Sequence, residues 1–419
     1  MSVMVHETIE RMLRSQARTV PAGPLPGEDL VVLSHQRWAT HVTAVHNLVV
    51  RLARHNRVLF VEPPDSMAWL LHEPPAREAM TWLLDPLERR GGNLYVYHTP
   101  PLFLPGQGRR PWIARSVTAT YEYLVRRALV QAGFRRPIYW VFQFNAVWLV
   151  RALRARLVVY ECAEEWAENT ASPAVRRYIE QVDEQMCRTA DLVFVPSSEM
   201  LRRKSPRNPH TYRVPWGVDI GLYATARRPE TRIPEEIARL PRPIIGIVGM
   251  FDGRRLHVEL LVELARRHRN WSVVLVGRCM PNLDTRPLTD EPNIHLYGMR
   301  PVEALPAYCK GFDVCILPYR VVEFTRSILP LKLVEYLATG KPVVTTAIPA
   351  AREFRDVYYV ADTIDEFDRM VAEAIDEDGR HAAARVRRAA AYDWNAIAER
   401  KMAMAAERLR AKAGRNGQG

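Results

Sequence analysis

The chain has 419 residues, of which 48% are hydrophobic and 25% charged, and a net charge of +12 at pH 7. This length predicts about two or three domains, each large enough to bury a core of its own. No apolar run reaches the roughly 20 residues that cross a bilayer, and arginines interrupt the apolar residues near the N-terminus. We therefore expect neither a membrane-spanning helix nor a signal peptide, and we expect the protein to stay in the cytoplasm.

Cysteine spacing and charge exclude several classes of protein. The five cysteines form no C-x-x-C pair and no Cys/His cluster, so we expect no disulfide framework, no metal site and no cofactor. Residues 1–215 hold 28 basic and 20 acidic side chains, a charge of +8, which favours anionic partners. Because no helix-turn-helix, zinc-finger or aromatic-and-basic strand signature accompanies this charge, we do not expect nucleic acid among them.

The order of apolar runs predicts an α/β protein. The first 28 residues end in a proline- and glycine-rich stretch, which predicts a lead-in segment. Short apolar runs bounded by turn residues then alternate with amphipathic helical patterns, as in doubly wound domains with parallel sheets. The predicted strands are 30–33, 57–61, 137–142, 156–160, 191–196, 244–248, 272–276, 294–298, 313–318, one that starts at 343 and one that ends near 360.

Polar side chains follow several predicted strands in the first half of the chain. In open α/β sheets ligands bind beyond the carboxyl ends of the strands, so such side chains are candidates for the edge of a cleft. The candidates are His35, Arg37, Trp38, Gln143, Glu161, Glu164 and Glu165. Two structural alternatives stay open: His35 and Trp38 would pack against the start of a helix, and the carboxylates would favour a helix N-terminus through its dipole.

Between Met67 and Trp112 the regular pattern loosens, and clusters of Trp and Leu alternate with proline and arginine. Apolar residues beside a group of arginines have the composition of a segment that binds an anionic membrane surface; these arginines are Arg89, Arg90, Arg109 and Arg110. Core helices and a buried loop are the more common explanation of such a stretch. Peripheral binding to the inner face of the cell membrane is therefore one of two interpretations.

The strand predicted at 244–248 runs through Gly249 to Arg254 and Arg255 and then into a helix. A strand that turns through glycines into a helix is a layout that binds phosphate, and arginine binds phosphate in a bidentate way. The glycine spacing matches neither a Walker A loop nor G-x-G-x-x-G. The alternative is that both arginines are ordinary surface charges.

The stretch from Pro330 to Thr346 indicates a short helix that runs into a buried strand. Pro330 suits the first turn of a helix, and Gly340 suits the left-handed residue that ends one. Lys332 in the first turn, together with the free N–H groups of the helix, offers a site for a phosphate, and Glu335 lies on the same face. A cation for phosphate and a carboxylate for vicinal hydroxyls suit a nucleotide-diphosphate sugar. The alternative is a solvent-facing Lys/Glu pair.

The segment P-x-K-x-x-E-Y-L-A-x-G-K-P-V-V-x-T, which begins at Pro330, looks like the donor-site signature of GT-B glycosyltransferases. It most resembles family 4 and the related bacterial cell-surface polysaccharide transferases. The resemblance implies that Glu335 holds the nucleotide ribose and that the helix start with Lys332 faces the diphosphate. The chain departs from the family's E-x7-E pattern, because Ser327 stands where the first Glu is expected. Glu323 is our candidate for that role.

Looser similarities extend the resemblance over most of the chain. Residues 163–165 align with an acidic V-D-D cluster, where a carboxylate would orient or deprotonate an acceptor hydroxyl. Residues 215–219 look like a P-N-G-V-D hinge, with Trp216 in the Asn position. In the family's G-R-L-x-x-E-K-G turn, Met250 takes the Arg position and Arg255 the Lys position. The loops after the later strands, with Arg278, resemble those that contact the base and the sugar.

The resemblance implies a GT-B fold, in which two Rossmann-like, doubly wound α/β domains face each other across a cleft. We place a lead-in at 1–28, an acceptor domain at 29–215 and a nucleotide-sugar domain at 216–394. Residues 395–419 would form a helix that packs back on the first domain, with a disordered tail. The implied reaction moves a sugar from a nucleotide-diphosphate sugar to a glycan or lipid-linked acceptor in cell-surface polysaccharide synthesis, with retention and without a metal.

These expectations assign roles to individual residues. Catalysis is assigned to Arg255, Lys332, Glu164 and Glu165. Donor binding is assigned to Gly249, Arg254, Arg255, Arg278, Glu323, Lys332 and Glu335, and acceptor binding to His35, Arg37, Trp38, Gln143 and Glu161. Two other functions stay open: a catalytically inactive scaffold in a polysaccharide assembly complex, which the lost first Glu and Met250 would suit, and a nucleotide-sugar 2-epimerase.

Overall fold

The computed structural model describes residue 9 and residues 23–39, 43–64, 84–100, 103, 111–153, 155–170 and 172–416. These residues form two compact units. The first unit runs to Val214 and also includes the segment from Ile397 onward, and the second runs from Pro215 to Ala396. Within the described ranges no helix is both long enough and apolar enough to cross a membrane.

The first unit is built on an eight-stranded sheet. Its strands are β1 (Asp29–Leu33), β2 (Arg57–Val61), β3 (Leu87–Arg89), β4 (Leu94–Tyr97), β5 (Ile138–Val141), β6 (Leu157–Glu161), β7 (Leu192–Val195) and β8 (Thr211–Arg213). They lie in the order β3-β4-β2-β1-β5-β6-β7-β8, and only the β3–β4 pair is antiparallel. The helices described before β8 are α1 (Ala44–Leu52), α2 (Pro111–Gln131), α3 (Val147–Ala152), α4 (Pro173–Thr189) and α5 (Ser198–Lys204).

The second unit is built on a six-stranded parallel sheet with the order β11-β10-β9-β12-β13-β14. Its strands are β9 (Ile244–Phe251), β10 (Ser272–Cys279), β11 (Ile294–Tyr297), β12 (Val314–Leu317), β13 (Val343–Thr346) and β14 (Tyr359–Ala361). The helices are α6 (Ile220–Ala224), α7 (Glu235–Ala238), α8 (Val258–Arg267), α9 (Arg286–Thr289), α10 (Leu305–Gly311), α11 (Glu323–Ser327), α12 (Leu331–Thr339), α13 (Pro349–Arg352), α14 (Ile364–Ile375) and α15 (Ala382–Ala390). The last helix, α16, is Trp394–Asn416.

Both faces of the second sheet are covered by apolar side chains. Along β10, Val274 and Val276 pack into one hydrophobic cluster, whereas Val273 and Leu275 pack into a second cluster. Successive side chains of a strand point to opposite faces of the sheet, so a strand buried on both sides needs a continuous apolar run. For this reason the apolar runs in the sequence marked these strands.

The structure confirms the predicted α/β architecture with parallel sheets. The run at 57–61 forms a strand with the expected bounds. The prediction missed β3, β4 and β8, of which β3 and β8 are three-residue strands at the two edges of the first sheet. Their sequences, Leu-Glu-Arg and Thr-Tyr-Arg, contain no apolar run that would mark them.

Most of the stretch between Met67 and Trp112, in which we predicted either a membrane-binding segment or core elements, lies outside the described residues. Its described part contains the antiparallel pair β3–β4. Arg90 forms an ion pair with Glu88, and the Arg89 guanidinium carbon lies 5.8 Å from the centre of the Tyr95 ring. Both arginines therefore make contacts within this part of the first unit.

The strand order reverses at β1 in the first sheet and at β9 in the second. The chain adds β2 on one side of β1 and β5 on the other, and it adds β10 on one side of β9 and β12 on the other. Loops that leave such a point diverge and open a crevice at the carboxyl ends of the strands, where open α/β sheets bind ligands. The crevice of the first unit lies next to Ser34 and Gln143, and that of the second unit next to Phe251 and Pro318.

The C-terminal helix α16 contributes to the core of the first unit. Lys401 is fully buried and donates from Nζ to the two carboxylate oxygens of Glu161 at 2.9 and 2.7 Å, while Trp140 Nε1 donates to the same carboxylate at 2.9 Å. Burial lowers the pKa of Lys401, and the charge of Glu161 offsets part of that effect. Further along the helix, Lys412 Nζ lies 2.7 Å from the Asp191 carboxylate. These contacts fix α16 to β6 and to the start of β7.

Candidate functional site

Two glycines meet at the carboxyl end of β9. Gly249 and Gly277 are register partners with φ values of +152° and +149°. A Cβ atom on Gly277 would lie 1.6 Å from the Gly249 carbonyl oxygen, so this pairing requires glycine at position 277. A Cβ atom on Gly249 would lie 3.6 Å from Lys332 Cε. The end of β9 therefore lies directly beside the start of α12.

Helix α12 has the limits that the sequence predicts. It begins after Pro330 and ends at Gly340, which is left-handed with φ +79°. Lys332 and Glu335 form an ion pair with each other across one turn. Their side chains are 20% and 13% exposed, so the pair is half-buried and not the solvent-facing pair of the structural alternative.

A tyrosine that the sequence analysis did not single out contacts this ion pair. Tyr223 of α6 is 2% exposed, and its hydroxyl accepts a hydrogen bond from Lys332 Nζ at 3.5 Å. Burial, and next the negative charge of Glu335, raise the pKa of Tyr223 well above its usual value. The phenol therefore stays protonated and lies near both charges. A residue 109 positions before Lys332 gives no sequence signal for this contact.

The loop between β9 and α8 holds the two predicted arginines. Arg254 donates from Nη2 to Asp252 at 3.1 Å. Burial raises the pKa of Asp252, but the hydrogen bonds from Arg254 and Asn282 outweigh it and lower that pKa to about 2. The carboxylate is thus charged at neutral pH and orients the Arg254 guanidinium.

Phe324 joins this loop to the segment that follows β12. The guanidinium carbons of Arg254 and Arg255 lie 5.5 and 5.9 Å from the centre of the Phe324 ring, within the range of cation–π attraction. Backbone hydrogen bonds run alongside, from Arg320 N–H to the Arg255 carbonyl at 2.7 Å and from His257 N–H to the Pro318 carbonyl at 2.8 Å. The two loops at the crevice of the second unit are therefore fixed to each other.

Several of the predicted donor residues share this crevice. The pKa of Tyr319 is raised by burial and lowered in part by the charges of Arg255 and Lys332, so both cations lie close enough to act on one phenol. Gly249 and Glu335 are placed beside Lys332 by the contacts above. Among the described residues, no group of three or more His, Cys, Asp or Glu side chains is placed to hold a metal ion.

Arg278 and Glu323 lie at the exposed rim. Arg278 is paired in the sheet with Met250, and both side chains are exposed. Glu323 is the first residue of α11, where its side chain is also exposed. The structure brings them to the same end of the sheet as Gly249, and their roles remain predictions.

The predicted carboxylates after β6 have different surroundings. Glu161 is 1% exposed, and its carboxylate accepts hydrogen bonds from Lys401 Nζ. Because this pair is internal to the first unit, we correct the assignment of Glu161 to acceptor binding. Glu165 accepts a hydrogen bond from Lys204 Nζ at 2.7 Å, whereas Glu164 is half-buried. Glu164 and Glu165 remain the candidates on this loop.

Arg37 and Trp38 are part of the packed interior, which corrects their assignment to acceptor binding. Arg37 Nη1 lies 2.8 Å from Glu62 Oε2, and the backbone N–H of Trp38 donates to Glu62 Oε1 at 3.0 Å. The Trp38 ring packs 4.9 Å from the ring of His46 in α1. Because these side chains are only 5% and 1% exposed, they offer almost no surface to a ligand. For Trp38, packing at the helix start is the interpretation that the structure supports.

A charge network explains why Arg37 is buried. His98 Nδ1 lies 3.1 Å from Glu62 and its Nε2 lies 2.9 Å from Glu88. Burial lowers the pKa of His98, but the hydrogen bonds to the two carboxylates outweigh it and raise the pKa to about 9. The carboxylates of Glu62 and Glu88 are thus paired with Arg37, His98 and Arg90. His35 is half-buried with its ring 5.1 Å from that of Trp166, and it remains a candidate for acceptor binding.

Gln143 lies at the crevice of the first unit and donates from its side-chain amide to the Ser34 carbonyl. Gln143 is only 4% exposed and its amide is hydrogen-bonded within the first unit. Its role in acceptor binding therefore stays a prediction. Beside it lies a pocket of about 50 Å3, whose lining includes the exposed side chains of Asn145, Trp148 and Tyr178. The sequence analysis missed Trp148 and Tyr178 because they lie on helices and not directly after a strand.

Comparison with known proteins finds similarity in sequence and in fold. Residues 242–377, which lie in the second unit, match the family model of glycosyl transferases group 1. The chain is 26% identical over 259 residues to TuaH of Bacillus subtilis (strain 168), which is named as a teichuronic acid biosynthesis glycosyltransferase. That match covers 57% of this chain and spans less than two thirds of the relative, 64% of its length.

Solved structures show the same fold. Sucrose-phosphate synthase from Thermosynechococcus elongatus superimposes with a TM-score of 0.66 at 17% identity, covering 92% of this chain and 99% of that one. HepE from Anabaena, in complex with UDP, gives a TM-score of 0.61 at 14% identity, with coverage of 92% and 100%. The predicted GT-B fold with two Rossmann-like domains is confirmed.

Proposed function

We propose that the protein is a glycosyltransferase that moves a sugar from a nucleotide-diphosphate sugar to an acceptor. The observation that carries this proposal is the crevice of the second unit. A half-buried Lys332–Glu335 pair lies at the start of a helix, beside a glycine backbone, and Arg254 and Arg255 lie near the same strand ends. Cations and a helix N-terminus suit a diphosphate, and a carboxylate suits vicinal hydroxyls.

Donor binding would use both members of the pair. We assign the Glu335 carboxylate to the ribose hydroxyls and the Lys332 ammonium to the diphosphate. When the bond between the anomeric carbon and the diphosphate oxygen breaks, negative charge grows on the diphosphate. Lys332, Arg255 and the helix N-terminus would stabilise that charge, which is the part of the reaction that fixed cations accelerate. Arg254, Arg278 and Glu323 would contact the remainder of the donor.

The acceptor would bind to the first unit. The pocket beside Gln143 lies at the point where the strand order reverses, and Trp148 and Tyr178 expose aromatic rings at its rim. Ligands of open α/β sheets bind at this point, beyond the carboxyl ends of the strands. We propose that Glu164 or Glu165, on the loop after β6, is the base that takes the proton of the acceptor hydroxyl.

The relatives suggest a narrower substrate class. HepE from Anabaena was solved in complex with UDP and with UDP-glucose, and TuaH is named for teichuronic acid biosynthesis. We therefore propose a nucleotide-diphosphate hexose as donor and a glycan or lipid-linked acceptor of a cell-surface polysaccharide. Retention at the anomeric carbon without a metal requirement is proposed from the resemblance to family 4.

The test begins with a panel of nucleotide sugars. A donor at about 100 times its dissociation constant stabilises the folded protein by about 2.7 kcal/mol, which a thermal melt detects. Incubation of that donor with candidate glycans should then release the nucleoside diphosphate only when an acceptor is present. Epimerised sugar nucleotide without an acceptor would indicate the 2-epimerase, and binding without turnover on any acceptor would indicate the scaffold.

We also propose that the protein works at the inner face of the cell membrane. The support is the charge of +8 in residues 1–215, together with the Trp-, Leu- and Arg-rich composition between Met67 and Trp112. Electrostatic attraction to a lipid surface is screened by salt. Cosedimentation with anionic vesicles should therefore weaken as ionic strength rises. Equal recovery on neutral and anionic vesicles, or none on either, would contradict this localisation.

A further inference from the structure

The hydroxyl of Tyr223 lies next to the two charges that the proposed donor site needs. It accepts a hydrogen bond from Lys332 Nζ at 3.5 Å, and the same ammonium lies 6.0 Å from the centre of the Tyr223 ring. Lys332 in turn forms the ion pair with Glu335. A phenol has one proton to donate and lone pairs to accept, so it can serve a cation and a carboxylate at once.

The ring of Tyr223 is fixed by its surroundings. The side chain is 2% exposed and packs in the hydrophobic core of the second unit. Its short helix, α6, is capped by the preceding residue, Asp219, whose carboxylate accepts a hydrogen bond from the backbone N–H of Leu222 at 2.9 Å. Just before it, a Cβ atom on Gly217 would lie 2.6 Å from Trp394, so the chain is closely packed there as well. The hydroxyl therefore has little freedom to move when a ligand arrives.

Donor binding changes the partners of the ion pair. If Lys332 turns to a diphosphate, Glu335 loses the charge that balances it in the unliganded protein. A carboxylate that is only 13% exposed is costly to leave without a partner. The Tyr223 hydroxyl is a buried donor that already feels the charge of Glu335 and does not depend on the ligand.

We propose that Tyr223 is a positioning residue, whose hydroxyl holds Glu335 in place for the ribose while Lys332 engages the diphosphate. This inference rests on the proposed function, because it assumes a nucleoside diphosphate in this crevice. It adds a residue from the start of the second unit to a site otherwise formed by α12 and by the loops after β9 and β12. Tyr223 does not itself contact the substrate.

The test is a double-mutant cycle on ligand affinity. The variants are Tyr223→Phe, Glu335→Gln and the combination, and the probes are UDP and GDP, measured by calorimetric titration with whichever binds the wild-type protein more tightly. Tyr223→Phe should weaken binding by roughly tenfold, the scale of one hydrogen bond to a charged group. In the Glu335→Gln background the same substitution should change affinity by less than about twofold, because residues that act through one another are not additive.

Tyr336→Phe is the matched control. Tyr336 is also fully buried, and its hydroxyl accepts from the Val248 N–H at 2.8 Å, which is a contact with the strand and not with the ion pair. Tyr336→Phe should lower the melting temperature and leave nucleotide affinity unchanged. If the loss of any buried hydroxyl weakened binding, both Tyr336→Phe and Tyr223→Phe would show the loss of affinity.

The outcomes separate this inference from the function on which it rests. Absence of UDP and GDP binding by the wild-type protein would overturn both proposals. Wild-type binding that Glu335→Gln weakens and Tyr223→Phe leaves unchanged would overturn the role of Tyr223 alone. Additive losses in the cycle would also overturn it, since Tyr223 would then act independently of Glu335.

Discussion

Replacing Lys332 with alanine should lower kcat by about 100-fold to 1000-fold, with a much smaller loss of donor affinity. Losing one fixed donor to charge that develops in a transition state has an effect of this size. The Lys332 ammonium lies in the first turn of α12, where the free N–H groups of the helix add to the positive potential. Because the diphosphate gains charge as the sugar departs, the loss falls mainly on turnover.

Lys310→Ala is the control for this substitution. Lys310 belongs to the same unit, but its ammonium donates to the Arg228 and Pro229 carbonyls at 2.6 and 3.2 Å. It should leave kcat and donor affinity unchanged. Steady-state kinetics with the cognate donor and acceptor give both parameters, and a Lys332→Ala variant with wild-type kcat would remove this residue from the catalytic assignment. Thermal melts of both variants show whether folding is intact.

Replacing Lys401 with alanine should destabilise the protein by about 3 to 5 kcal/mol. Removing one member of a buried ion pair has this effect because the remaining charge is left buried without a counter-charge. The side chains of Lys401 and Glu161 are 0% and 2% exposed, so water cannot replace the lost partner. Urea unfolding, followed by circular dichroism and tryptophan fluorescence, measures the change through the midpoint and slope.

Two further variants show whether burial is the cause. Lys412→Ala breaks an ion pair on the same helix, with Asp191, in which the lysine is 35% exposed, and it should cost less than about 1 kcal/mol. The double substitution Lys401→Met with Glu161→Leu removes both buried charges and should recover part of the loss, because well-packed apolar residues often match a buried pair in stability, whereas Trp140 Nε1 loses its acceptor. Equal losses in Lys401→Ala and Lys412→Ala would contradict this account of α16.

Local sequence patterns predicted the ends of α12 and the central strands of both sheets. Pro330 marked the start of α12 to within one residue, since it stands as the extended residue just before the helix, and Gly340 marked its end because glycine accepts a left-handed backbone. The central strands were visible because strands buried on both faces need continuous apolar runs. Edge strands such as β3 and β8 are short and half-exposed, so the same criterion does not detect them.

The partners of charged residues were not predictable in this way. Glu161 follows an apolar run, as a cleft residue would, but its carboxylate meets Lys401 from 240 positions later. Arg37 likewise meets Glu62 from the next strand. The position after a strand gives the end of the sheet on which a side chain lies, and it does not tell whether the fold supplies a counter-charge. The contact between Lys332 and Glu335 was easier to predict, because the two residues lie one turn apart on a single helix.

The central claim is that Glu335 holds the ribose of a nucleotide-diphosphate sugar, and Glu335→Gln tests it most directly. The substitution keeps the shape of the side chain and replaces a charged acceptor by a neutral amide. Hydrogen bonds to charged groups contribute roughly 1.5 to 3 kcal/mol, so donor affinity should fall by about one to two orders of magnitude. Glu259→Gln, at an exposed carboxylate paired with Arg320, serves as the control and should bind like the wild-type protein. Calorimetric titration with the cognate nucleotide sugar decides the matter: a loss of about tenfold to a hundredfold in Glu335→Gln alone is the predicted result, and unchanged affinity would contradict the assignment of the donor site.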